Sequence, residues 1–173
     1  MKIFLTVFIT ALAMVPELFC GNLGLALGLP LFPAVYFAAT FGTVYGIAAA
    51  GCAGLMLDLL YNRPYLAGAV IWIIITQAAC QNSARFRHQT PLAPITAGMI
   101  IGGGYLLWNL LYSTLAETEF PGPDIFSMAV IQIFGGGLLM LLMTLLFDAV
   151  NFRCNLPRYS PPAENKLGGG RGI

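Results

Sequence analysis

Charged residues are scarce in this chain. Of its 173 residues, eight are Lys or Arg and seven are Asp or Glu, whereas 58% are hydrophobic. A soluble domain of ordinary composition has about one quarter charged residues. The shortage of charge therefore argues against a soluble domain and predicts an integral membrane protein.

The sequence also lacks the residue patterns that most catalytic and ligand-binding sites require. His88 is the only histidine, the four cysteines show no CxxC spacing, and a net charge of +1 offers no basic face for nucleic acid. GxSxG, HExxH and paired-carboxylate motifs are absent. We therefore expect a non-enzymatic protein without cofactor, metal site or nucleic-acid partner.

Apolar runs separated by Pro, Gly and the few charges predict an all-α integral membrane protein with a six-helix transmembrane bundle. Residues 18–57 carry no charge and are interpreted as two short helices, although one long span, giving five in all, stays open. Pro30 or Pro33 is expected to start the first of these helices, with a tight turn at residues 41–43. The remaining predicted spans are residues 3–15 with a further turn at Pro16 and Glu17, then 65–84, 92–113 and 125–147.

The distribution of basic residues predicts the orientation of this bundle. With six spans, seven of the eight Lys and Arg residues fall on one face, and only Arg63 falls on the other. By the positive-inside rule, both termini are then cytoplasmic. Residues 1–152 form the predicted polytopic transmembrane domain. Residues 153–173 are rich in Pro, Gly and charge and are expected to form a disordered cytoplasmic tail.

Small residues recur at four-residue spacing along the predicted third helix and again in the fifth. Small residues let helix backbones approach closely in lipid. Packing within the bundle is the expected use of this spacing, and a docking face for another membrane protein is the alternative. The positions are Gly42, Gly46, Ala50 and Gly54 in the third helix and Gly98 and Gly102 in the fifth.

Asp58 is an ionisable residue beside a predicted span, and such residues are functional candidates. Pro64 disfavours helical backbone at Arg63, so the third helix is expected to end near Asn62, with Asp58 in its last turn. A carboxylate at this position opposes the helix dipole and needs a compensating partner, for which Arg63 is a candidate. An internal structural hydrogen bond and a partner-docking or proton-linked role both stay open.

Three stretches of the sequence resemble a known family. They are Met14-Val15-Pro16, the aromatic-rich run through Tyr36 and Phe37 after Pro30 or Pro33, and Gly54-Leu55-Met56-Leu57-Asp58-Leu59-Leu60 followed by Pro64. In these residues and in its layout, the chain resembles the bacterial rod shape-determining protein MreD family. The chain departs from the family at Leu66, where members often have Gly, and Gly68 is displaced from that position. Basic residues often found between the second and third helices are also missing.

This resemblance implies a non-enzymatic scaffold of the cell-elongation machinery in the bacterial inner membrane. The implied partners are an MreC-like protein and, through it, actin-like MreB, a glycosyltransferase and a penicillin-binding transpeptidase. By position, Gly54, Asp58 and Pro64 are expected to shape the third and fourth helices, and with Arg63 they are the candidate partner-docking or structural residues.

The MreD family itself resembles the substrate-binding S components of energy-coupling-factor vitamin transporters. That function is the alternative, and it predicts a polar ligand pocket that opens outward.

Overall fold

The computed structural model describes residues 2–22, 27–63, 67–85, 92–115, 125–154 and 156–159. Within these ranges the regular secondary structure is α-helical, which confirms the predicted all-α class. The six helices are α1 (Lys2–Asn22), α2 (Leu31–Phe41), α3 (Thr43–Leu60), α4 (Gly68–Arg85), α5 (Leu92–Leu115) and α6 (Ile125–Arg153).

Four of these helices, α1, α3, α5 and α6, are long and apolar enough to cross a membrane. The 18 residues of α4 include a polar second half with Gln77, Gln81 and Asn82, which lowers its hydropathy. The 11 residues of α2 span about 16 Å, which is well short of a hydrocarbon core of about 30 Å. The helix number and the shortness of α2 agree with the prediction, whereas α4 is less apolar than the full span that we expected.

Helix α1 continues past Pro16 to Asn22, beyond the single extra turn that we predicted. Proline is tolerated within membrane helices because neighbouring groups satisfy the backbone carbonyl that it leaves free. The extension places Glu17 on the inner face of α1, where its side chain is 0% exposed. This position differs from the interfacial turn that the sequence suggested.

The short helix α2 lies at the centre of the bundle. Residues 31–38 are all buried, and α2 packs against each of the other five helices. It begins directly after Pro30 and ends at Gly42, whose φ of 120° favours glycine. The predicted helix start and the predicted turn at residues 41–43 are both confirmed.

Small residues bring the helices together, as expected. A Cβ added to Gly98 would meet the backbone of Gly136, and one added to Gly102 would meet the carbonyl oxygen of Gln132. In the same way, a Cβ on Gly46 of α3 would meet the carbonyl oxygen of Ala34 in α2. The interpretation of these glycines as packing residues within the bundle is therefore confirmed.

The chain after α6 folds back onto the bundle. Tyr159 is 7% exposed and stacks on Tyr36, with ring centroids 6.0 Å apart. Its backbone N–H donates to Asp148, and the Asn151 amide donates to the carbonyl oxygen of Pro157. Within the segment predicted as a disordered tail, Arg153 is the last residue of α6, and residues 156–159 pack against the bundle. Residues 160–173 lie outside the described ranges.

Candidate functional site at the Glu17 and Asp58 end

Asp58 lies in the last turn of α3 and is 1% exposed. Its Oδ2 accepts a hydrogen bond of 2.6 Å from the backbone N–H of Gly68, at the first residue of α4. Its Oδ1 accepts from Nη1 of Arg63 at 3.3 Å, which forms an ion pair. The structure thus gives Asp58 an internal bonding role, one of the two alternatives that the sequence left open.

Gly54 and Gly68 allow α3 and α4 to approach at this point. A Cβ on Gly54 would lie 2.8 Å from the carbonyl oxygen of Gly68, and a Cβ on Gly68 would lie 2.5 Å from Oδ2 of Asp58. Real Cβ atoms do not make contacts this short, so both positions require glycine unless the backbones separate. Gly68, which the sequence analysis noted only as displaced, is therefore an essential part of this helix junction.

Arg63 connects the α3–α4 turn to α5. Besides Asp58, its guanidinium contacts the side-chain oxygen of Asn109 at 3.5 Å and lies over the rings of Tyr61 and Tyr112, at 5.4 and 4.9 Å from their centroids. Its side chain is 11% exposed. The sequence correctly proposed Arg63 as the partner of Asp58. Pro64, the fourth candidate residue, lies outside the described residues.

Glu17 forms a second acidic centre at the same end of the bundle. Its Oε1 accepts from the Gly28 N–H at 3.0 Å and from the Tyr105 hydroxyl at 3.2 Å, and its Oε2 accepts from the Leu29 N–H at 2.9 Å. The hydroxyl of Tyr61 donates to the backbone oxygen of Glu17 at 3.3 Å. The sequence analysis did not single out this residue, although an acidic residue at the end of an apolar run was a usable signal.

These contacts join Glu17, Asp58 and Arg63 into one polar cluster through Tyr61 and Tyr105. The cluster holds two carboxyl groups and one guanidinium. Burial raises the pKa of Tyr61, which lies just beyond α3, and the nearby charge of Glu17 raises it further while Arg63 opposes the shift. The hydroxyl of Tyr61 therefore stays protonated and acts as a donor in this cluster.

A separate polar cluster lies where α2 meets α6. The hydroxyl of Tyr36 donates to Asp148 at 2.7 Å and accepts from the side-chain amide of Asn151 at 2.9 Å. Asp148 also receives the backbone N–H of Tyr159. This cluster fixes the C-terminal end of the described chain against the central helix.

The arrangement offers hydrogen bonding and charge but few groups for metal or cofactor chemistry. Within the described ranges, no three His, Cys, Asp or Glu side chains gather closely enough to hold a metal ion. An apolar groove of about 170 Å³ lies between α1 and α3, lined by small residues such as Ala49, Cys52 and Ala53.

No protein-family model, no curated protein and no solved structure matches this chain.

Proposed function

We propose that this chain is a non-enzymatic membrane scaffold of the bacterial cell-elongation machinery, similar to MreD. The observation that supports this proposal is the use made of Gly54 and Asp58, two of the residues that carry the resemblance. Both are built into the junction of α3 and α4, and both carboxylate oxygens of Asp58 are bonded within the chain. Because Gly54 and Asp58 hold two helices of the same chain together, they fit a structural role.

In this proposal all six helices belong to the bundle in the inner membrane, with both termini in the cytoplasm. Helix α2 is too short to span alone, but the other helices surround it. Its backbone and side chains are thereby shielded from lipid, so it does not need the length of an isolated span.

The outer face of α3 is the surface we assign to a partner. Leu55, Met56, Leu59 and Leu60 are 41–64% exposed, and they lie at the end of α3 that Asp58 and Gly54 hold against α4. The proposed partner is the transmembrane helix of an MreC-like protein. Through it the scaffold reaches MreB, a glycosyltransferase and a penicillin-binding transpeptidase.

Site-specific photocrosslinking in the native membrane tests this proposal. A photoreactive residue at Gly54 would break the contact with Gly68, so the probe belongs at Leu59, which is 64% exposed on the same helix. A probe at Leu146 on α6, 59% exposed, is the matched control. We expect an MreC-like protein to be captured from Leu59 and not from Leu146.

Three results would contradict the scaffold or its docking face. Capture of transporter ATPase and coupling subunits would replace it with the vitamin-transporter S component. Equal capture from Leu59 and Leu146, or no MreC-like protein from Leu59, would remove the assignment of the α3 face.

A further inference from the structure

The carboxyl group of Glu17 is surrounded by hydrogen-bond donors, and within the described ranges no Lys, Arg or His side chain forms an ion pair with it. The donors are the backbone N–H groups of Gly28 and Leu29 and the hydroxyl of Tyr105. Among the described side chains, the guanidinium that lies nearest in the cluster is that of Arg63, and it pairs with Asp58 instead. Among the described residues, Glu17 is thus a fully buried acidic group whose direct contacts are hydrogen-bond donors without a formal charge.

This set of partners fits one protonation state better than the other. An ionised carboxylate accepts hydrogen bonds from all three donors, whereas a protonated carboxyl has an O–H that must itself donate. A proton on Oε2 would face the N–H of Leu29, which donates to that oxygen. A proton on Oε1 would face the N–H of Gly28 and the hydroxyl of Tyr105, of which only the hydroxyl can turn and accept.

The other titratable groups around Glu17 already have partners. Tyr61, from the turn after α3, donates to the backbone oxygen of Glu17, and Tyr105 from α5 donates to its carboxyl. Asp58 and Arg63, from the α3–α4 junction, bond to each other. Cys20 lies on α1 itself, near Tyr61. The α2 side contributes backbone N–H groups only.

Glu17 holds the turn that leads into α2. Gly28 and Leu29 precede the helix directly, and Gly28 has a φ of 68°, which favours glycine. Because α2 contacts all five other helices, this turn positions the helix at the centre of the bundle.

We propose that Glu17 is a proton-binding site whose occupancy controls how firmly the N-terminal end of α2 is held. In the ionised state the carboxylate fixes both backbone N–H groups. In the protonated state one of these bonds is lost, or the hydroxyl of Tyr105 turns to accept the proton and both N–H groups then donate to a neutral acceptor, which holds them more weakly. In either case the turn is released more readily. Tyr36, in the middle of α2, stays bonded to Asp148 and Asn151, so the response is confined to the N-terminal half of the helix.

Hydrogen exchange of the full chain in phosphatidylethanolamine and phosphatidylglycerol nanodiscs tests this proposal across a pH series. After correction for the intrinsic pH dependence of exchange, we expect protection of residues 27–36 to fall on the order of tenfold as Glu17 protonates, the effect of losing one bond to a charged acceptor. Residues 44–57 of α3 serve as the internal control and should keep their protection.

Infrared difference spectroscopy over the same pH series identifies the group that titrates. We expect the C=O band of a buried protonated carboxyl to appear at low pH, to be lost in Glu17→Gln and to persist in Asp148→Asn. Glu17→Gln should also show low protection of residues 27–36 at every pH. The NH₂ group of glutamine is a donor, so it cannot accept a hydrogen bond from the N–H or O–H group that faces it.

The proposal is overturned if protection of residues 27–36 does not change with pH or if the carboxyl band persists in Glu17→Gln. Should Glu17→Gln fail to fold, the wild-type exchange series decides alone, since it compares two segments of one molecule. A fall in protection shared equally by residues 27–36 and 44–57 would indicate general unfolding and would also reject the site.

Discussion

Replacing Asp58 with Asn perturbs the junction between α3 and α4 with almost no change in side-chain volume. Oδ1 faces the Arg63 guanidinium and Oδ2 faces the Gly68 N–H, so the amide NH₂ of Asn must point at a donor whichever way it is turned. Hydrogen bonds to charged groups contribute about 1.5–3 kcal/mol each. Breaking a fully buried ion pair costs about 3–5 kcal/mol.

The expected cost of Asp58→Asn lies below that upper range. Arg63 is 11% exposed and keeps its contacts with Asn109 and Tyr112, so its charge stays partly solvated and partly compensated when the ion pair is lost. We therefore expect a loss of about 2–3 kcal/mol in the free energy of unfolding, one lost charged hydrogen bond plus a partly compensated guanidinium.

Reversible unfolding in bicelles, followed for single and double variants, measures this cost. Arg63→Gln combined with Asp58→Asn should show a coupling energy of about 1–2 kcal/mol, as expected for residues in contact. Asp148→Asn, at the opposite cluster, should combine additively with Arg63→Gln. A loss below about 0.5 kcal/mol for Asp58→Asn, the range of ordinary surface changes, would refute this account of the junction.

Two further predictions use the same unfolding assay. Gly102→Ala places a Cβ against the carbonyl oxygen of Gln132 and should lower the free energy of unfolding by about 1–3 kcal/mol through overpacking. In the control variant Gly135→Ala, the added Cβ has nothing within 4 Å and should leave the free energy of unfolding unchanged or raise it by roughly 0.5 kcal/mol. Equal effects of the two substitutions would contradict the packing role of Gly102. Tyr36→Phe removes a hydroxyl that bonds to Asp148 and Asn151 and should cost about 1–3 kcal/mol. In hydrogen exchange, Tyr36→Phe should also deprotect residues 156–159, and unchanged protection there would show that Tyr36 does not hold this segment.

The sequence predicted the helices whose limits are set by local signals. The starts of α5 and α6 at Leu92 and Ile125 match the prediction, and the turn at Gly42 follows from a glycine between apolar runs. The pairing of Asp58 with Arg63 was also accessible, because five residues separate them across a helix end. In each case the determining residues are close in sequence.

The sequence did not predict features that depend on partners far along the chain. Glu17 and Tyr105 are 88 residues apart, and Tyr36 and Asp148 are 112 apart. No local sequence pattern indicates that the two members of either pair meet. The continuation of α1 through Pro16 was missed for a related reason, because local rules for proline do not include the support of neighbouring helices.

The enclosed position of α2 has a consequence for how the protein reaches its final state during synthesis. A helix of 11 residues emerging between α1 and α3 is too short to be stable as an independent insert in lipid. The helices that pack against α2 include α4, α5 and α6, which follow it in the chain and are synthesised later. If the chain inserts into a membrane as proposed, α2 is enclosed only after those helices have been added, so completion of the bundle depends on its last segments.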